Sequence, residues 1–205
     1  MSLLMFWRLE DQILIHVDTL MTFQSGERVG YTNKYAILPH LETVVVATGI
    51  HDLFLDWCRM IVSGYPMART VDDLAAVAVE QLPALWAQYK PWNDRSTTIY
   101  HFGYSSLADR YVYDVFRSES GFAHERPHLD APQVFGYKPT EPPVGLGKPT
   151  NSFEFTAFAE AVREAQRTRL LVDRVHIGGD LIEISMKGRQ ITATRLSSFG
   201  DDDYQ

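Results

Sequence analysis

The stretch Arg8-Leu9-Glu10-Asp11-Gln12-Ile13-Leu14-Ile15-His16-Val17-Asp18-Thr19-Leu20-Met21-Thr22 decides how this chain reads. Its polar centre, Glu10-Asp11-Gln12, separates the apolar run Leu3 to Arg8 from a second run, Ile13 to Thr19. Two apolar runs joined by a short polar turn predict a β-hairpin, so the chain opens with sheet.

Working outward, Ser25-Gly26-Glu27-Arg28 reads as a loop, and Tyr35-Ala36-Ile37-Leu38 and Thr43 to Ala47 as two further strands around Pro39-His40-Leu41-Glu42. From His51 to Val62 the apolar positions Leu53, Phe54, Trp57, Met60 and Ile61 recur at helical spacing, and Gly64 stops the helix. A second helix begins at the cap Thr70, carries Asp72 and Asp73 in its first turn, and buries Leu74, Val77, Ala78, Leu82 and Leu85 despite Pro83.

Thr97 to Tyr104 and Arg110 to Phe116 return to sheet, their aromatic residues spaced to pack across paired strands. Residues 121–150 hold most of the prolines and predict a long loop or a lid. Phe153 to Arg167 is a helix with Phe155, Phe158, Ala159 and Val162 on one stripe; strands at Leu170 to Ile177, Leu181 to Met186 and Ile191 to Leu196 finish the chain. The order strands, two helices, strands, one helix, strands lacks parallel βαβ alternation. It predicts an α+β fold whose sheets are mainly antiparallel and flanked by helices.

With 205 residues the chain is expected to form one domain, residues 1–205, ending in a short acidic tail at 200–205. A net charge of -7 argues against nucleic acid or an anionic membrane as partner, and no apolar run approaches the ~20 residues that span a bilayer. Leu3 to Trp7 is too short for a signal-peptide core, and the single Cys58 fits a reducing cytoplasm, where the protein is expected. His124, Glu125, His128 and Asp130 lie close in sequence, but Pro127 breaks any helical register between the histidines. They read as loop residues, and no metal or other cofactor is expected. His176-Ile177-Gly178-Gly179 offers paired glycines that allow close backbone approach or an ordinary turn.

Ser2, Asp18 and Lys34 are spaced sixteen residues apart. Removal of Met1, favoured by a small second residue, would give Ser2 both a nucleophilic hydroxyl and its own α-amine as base. With these positions in place, the first third of the chain resembles the proteasome β-subunit family of N-terminal-nucleophile (Ntn) hydrolases. Setting Ser2 on that family's N-terminal threonine, Arg8 to Thr22 follows its strand-turn-strand pattern without a gap, although Gln12 replaces the usual glycine. Asp18 falls on the catalytic aspartate, Lys34 within Asn33-Lys34-Tyr35-Ala36-Ile37 on the catalytic lysine, and Thr22 on the threonine whose backbone holds substrate. Val44-Val45-Val46-Ala47-Thr48-Gly49 resembles the strand before the first helix, displaced by one or two residues, so Gly49 or Thr48 inherits the oxyanion-hole amide.

Asp173 corresponds to a supporting aspartate near the last strands, and the Ser-Gly segment that supports the family's site has no clear counterpart. The resemblance implies a four-layer αββα sandwich and hydrolysis of a peptide or small amide. It also implies self-association into a homo-oligomer. The rival expectation is a non-catalytic subunit of the same fold with a structural or binding role.

Overall fold

The computed structural model describes residues 2–23, 25–64, 68–90, 96–128, 130–138, 147–170 and 174–200. Asp173, residues 139–146 of the proline-rich stretch and the acidic tail from 201 lie outside the described residues. The opening hairpin is β1 (Leu4–Arg8) and β2 (Gln12–Asp18), antiparallel with Phe6 opposite Ile15, its turn closed by Leu9 N–H on the Gln12 carbonyl at 2.8 Å. Alternation along β1 sends Leu4 and Phe6 to one face and Leu3 and Met5 to the other, and both faces are buried. A strand apolar on both faces must lie between two packed layers, which places this hairpin inside the molecule.

Two five-stranded antiparallel sheets stack face to face. The first has the order β10 (Val134–Lys138), β1, β2, β11 (Asp180–Lys187), β12 (Gln190–Ser198). The second runs β5 (Tyr35–Leu38), β6 (Thr43–Thr48), β7 (Thr98–Ser105), β8 (Arg110–Arg117), β9 (His124–Glu125). Between them lies a core of Phe6, Ile15, Val17, Val44, Val46, Phe102, Tyr113 and Ile184, where the Phe6 and Tyr113 ring centroids are 4.6 Å apart.

Val45 and Ala47, on the opposite face of β6, pack against α1 (His51–Val62) and α2 (Val71–Tyr89). The helix α3 (Ser152–Arg167) covers the outer face of the first sheet through Phe155, Phe158, Ala159 and Val162. The fold is therefore an α+β sandwich of four layers, αββα. Among the described residues no helix is long and apolar enough to cross a membrane.

The helix ends follow local chemistry. The Thr70 side chain accepts the Asp73 N–H and the Asn151 side chain accepts that of Glu154, so each satisfies an otherwise orphaned donor in a first turn. Helix α2 continues through Pro83 to Tyr89. Partly buried Cys58 packs against the α1–α2 core, and burial pushes its thiol up to about 12, so it stays protonated.

Three segments differ from expectation. The loop around Ser25 to Arg28 sits within a two-stranded ribbon of β3 (Leu20–Thr22) and β4 (Arg28–Tyr31). The proline-rich stretch contains β9 and β10, and the latter is an edge strand that places Gly136 opposite Phe6, whose ring lies where a side chain would stand. Edge position explains how a strand so close to Pro132 is tolerated. Within 170–177, the described residues form no strand. Val175 and Ile177 are buried against α3, but the Val175 N–H is donated to the Gln166 side chain at 3.0 Å instead of a ladder partner.

His101, fully buried on β7, accepts the Trp57 indole N–H at 3.1 Å through Nε2, and burial pushes its pKa down to about 3 from 6.5. The folded state thus holds a neutral imidazole while the unfolded chain binds a proton below pH 6.5. Stability contributed by this group is complete above that pH and falls as pH drops from 6.5 toward 3, by about 1.4 kcal/mol per unit. Urea unfolding at pH 7 and pH 5 is expected to show a loss that is smaller by about 2 kcal/mol in His101→Gln than in the parent.

Candidate active site

Asp18 closes β2 and Lys34 immediately precedes β5, and the stacking of the two sheets brings these strand ends together. Lys34 Nζ donates to Asp18 Oδ1 at 2.7 Å. The pair is almost dry, with Asp18 0% and Lys34 6% exposed. The same Oδ1 accepts the Leu3 N–H at 2.9 Å, and Oδ2 accepts the Gly178 N–H at 3.3 Å. Asp18 therefore anchors the chain immediately after Ser2 and locks the lysine beside it. Burial pushes the Lys34 ammonium below the ordinary lysine value, opposed by the charge and hydrogen bond of Asp18. A lysine held this way is closer to releasing a proton near neutrality than an exposed one.

Ser2 and Lys34 line one small cleft together with Leu20, Met21, Thr22, Thr32, Ala47, Gly49, Ile50, His51 and Phe54. Five of the expected site residues thus converge: Ser2, Lys34, Thr22 and Gly49 on the cleft and Asp18 directly behind it. Thr48 is buried in β6 opposite Thr98 and is not among the cleft-lining residues, which leaves Gly49 as the residue of the two that faces the cleft. Asp173 lies outside the described residues.

The amide after Gly49 is already used, since Ile50 N–H donates to Thr97 Oγ1 at 3.0 Å. Lys34 is fixed through its backbone as well, its carbonyl accepting the Ala47 N–H at 3.1 Å.

Sequence reading missed His51, and it marked Gly178-Gly179 only as a close backbone approach or an ordinary turn. His51, which reads as no more than the first residue of α1, lines the cleft and places Nε2 3.1 Å from Thr32 Oγ1. The Gly178 amide supports Asp18 from 160 residues away. Gly179 adopts φ +72° and abuts Thr19 and the Tyr31 ring so closely that no side chain fits, which is the close approach that paired glycines permit. A second cavity of about 660 Å³, lined by Thr19, Tyr31, Asn33, Gly179, Asp180 and Phe199 among others, shares Thr32 with the cleft.

His124 is occupied otherwise. His124 Nε2 lies 2.7 Å from Asp114 Oδ1, and Arg126 bridges Asp114 and Asp72 at 2.6 Å to each, so that cluster ties the segment to β8 and α2. Among the described residues no group of three or more His, Cys, Asp or Glu gathers to hold a metal.

No family model and no curated protein matches the sequence. Solved structures do match. A mutant of Anbu from Hyphomicrobium sp. strain MC1 aligns over 100% of this chain and 91% of its own, with TM-score 0.66 and 13% identity. Anbu, described as an ancestral beta-subunit, from Yersinia bercovieri aligns over 95% and 87%, with TM-score 0.68 and 11% identity. A second Anbu structure from the Hyphomicrobium strain gives TM-score 0.63 at 14% identity.

These findings correct the family expected from sequence. The structural neighbours are Anbu, and identities of 11–14% carry the fold without membership among proteasome β-subunits. The chain has the proteasome-like Ntn fold of Anbu, and its buried Asp18–Lys34 pair stands beside Ser2 within that fold.

Proposed function

We propose that this chain is an amide hydrolase in which Ser2, exposed by removal of Met1, attacks the carbonyl of a peptide or small amide. The observation that carries this reading is the buried Asp18–Lys34 pair on the cleft that Ser2 also lines. The Ser2 hydroxyl passes its proton to the free α-amine or to Lys34 as Oγ bonds to the substrate carbonyl carbon. Asp18 keeps Lys34 oriented and charge-balanced. The Gly49 N–H stabilises the oxyanion that forms, a contribution on the order of 3 kcal/mol for one donor. Collapse of the tetrahedral intermediate breaks the C–N bond, the leaving amine takes the proton, and water hydrolyses the Ser2 ester in a second half-reaction. Thr22 holds the substrate backbone, and the cavity of about 660 Å³ gives room for the rest of the substrate chain. In this reading the protein works in the cytoplasm as a homo-oligomer.

One observation favours a second reading. Asp18 also accepts two backbone N–H groups, so the pair serves to pin the N-terminal strand, as a non-catalytic structural subunit would require.

Intact mass separates the two. The hydrolase reading expects loss of Met1 and, on adding a β-lactone, a gain equal to one whole probe on Ser2, because ring opening leaves no fragment. Ser2→Ala is expected to abolish that gain. Met1 retained on nearly every molecule, or equal labelling of Ser2→Ala, overturns the proposal.

A further inference from the structure

Arg8, at the end of β1 away from Ser2, carries a buried charge that no carboxylate among the described residues balances. Its side chain is 3% exposed. Nη2 donates to the His128 and Ala131 carbonyls at 2.6 Å each, and Nη1 donates to the Tyr111 carbonyl at 3.3 Å. A guanidinium has five N–H groups, so two remain, and the buried Nε–H is one of them. Three neutral carbonyls satisfy donors without neutralising the charge. The buried carboxylates of Asp18 and Asp114, by contrast, each hold a cation directly. Burial pushes the Arg8 guanidinium below the ordinary arginine value; the Tyr113 phenol opposes this and the Arg110 charge adds to it.

Arg8 lines a cavity of about 260 Å³, several times the ~30 Å³ share of one water molecule. Arg110 lines it too, and the carboxylates of Glu10, Asp109 and Asp130 stand at exposed positions around it. Asp109 is engaged by the Tyr104 hydroxyl. Among the described residues this cavity shares none with the Ser2 cleft, and the extended chain from Ser2 to Arg8 spans about 20 Å. Charge is therefore ordered across the cavity, positive at the buried Arg8 and negative at the exposed carboxylates. A simple anion is attracted by Arg8 and repelled by the rim, and a simple cation meets the reverse. We propose that the cavity binds a small zwitterion, a free α-amino acid, with its carboxylate against Arg8 and its ammonium against Glu10 and Asp130. Both ends then form charge-assisted contacts, and the buried guanidinium gains its missing counter-charge. This site is separate from the hydrolase reading and does not depend on it.

The test titrates the full chain with L-alanine, acetate and methylammonium while the Arg8 Nε–H resonance is followed by NMR. L-alanine is expected to shift that resonance and to bind about tenfold more tightly than acetate or methylammonium, each of which carries one of its two charges. Arg8→Met is expected to abolish alanine binding. Should that variant fail to fold, because three carbonyls lose their donor, the exposed double variant Glu10→Gln with Asp130→Asn keeps the test open. It is expected to lose the preference for alanine over acetate, read as a ratio of affinities near one. Ser2→Ala is expected to bind alanine as the parent does, which separates this site from the cleft. Absence of an alanine-dependent shift overturns the proposal, as does acetate bound as tightly as alanine in the parent. Binding that persists in folded Arg8→Met, a preference unchanged in the double variant, or binding lost in Ser2→Ala overturns it as well.

Discussion

Lys34→Met is expected to abolish β-lactone labelling of Ser2 and to lower the unfolding free energy by about 3–5 kcal/mol. The two effects share a cause. Asp18 has no exposed surface, and its cationic partner is the Lys34 ammonium at 2.7 Å. Methionine keeps the aliphatic stem but removes the charge, leaving a buried carboxylate with the N–H groups of Leu3 and Gly178. Two neutral donors do not offset the desolvation of a charge as a bonded ammonium does.

A double variant separates stability from chemistry. Asp18→Asn with Lys34→Met removes both charges, and the asparagine carbonyl can still accept the Leu3 N–H. Part of the lost stability should return, giving a coupling energy of about 1–3 kcal/mol in the cycle. Labelling should not return, because neither group is then able to move or orient a proton. Chemical denaturation measures the first outcome and intact mass the second. Full retention of stability in Lys34→Met would mean that the carboxylate reaches water, contrary to the packing around it.

How much of this was legible in the sequence depends on the distance over which each signal acts. The hairpin β1–β2 and the helix α1 are written in short-range periodicity, period 2 across Ile13, Ile15 and Val17 and helical spacing across Leu53, Phe54, Trp57 and Ile61. Ser2, Asp18 and Lys34 stand out as a set through their sixteen-residue spacing and the family resemblance, and the fold brings Lys34 against Asp18 on the cleft that Ser2 lines. The reading faltered where burial and hydrogen bonding part company. Val175 and Ile177 alternate like a strand and are buried like one, yet the Val175 N–H goes to the Gln166 side chain and not to a neighbouring strand. β10 hid behind Gly136, which looks like a loop residue until Phe6 is seen to lie over it. β3 is only three residues long and β4 is largely exposed, so no apolar pattern marks them. His51 escaped for another reason. Its contact with Thr32 comes from the fold, and nothing adjacent to it encodes that contact. Gly178-Gly179 stood out as a pair permitting close approach, but that the Gly178 N–H goes to Asp18 is set by residues 160 positions away.

Gly49→Ala tests the remaining element of the site, the loop between β6 and α1, and is expected to destabilise the protein by about 2–5 kcal/mol. Gly49 adopts φ +114°, a conformation that side chains disfavour, and a Cβ there would lie 2.5 Å from the Ser96 carbonyl oxygen and 2.7 Å from Thr97 Cα. Both are backbone atoms and cannot rotate away as a flexible side chain would. Relief would require separating this loop from the segment leading into β7. Thr97 sits at that junction, with Oγ1 accepting the Ile50 N–H and its own N–H donated to Ser118 Oγ at 2.9 Å. Moving it loosens the entry to α1, and with it His51 and the Gly49 amide on the cleft wall. Loss of Ser2 labelling should therefore accompany the loss of stability, even though Gly49 contributes no side chain. Gly30→Ala is the matched control, because Gly30 has no heavy atom within 4 Å of the added carbon and no positive φ. That variant should stay within about 0.5 kcal/mol of the parent in urea unfolding. If Gly49→Ala proved equally silent in both measurements, the loop would be free to shift, and the oxyanion role of its amide would lose its physical basis.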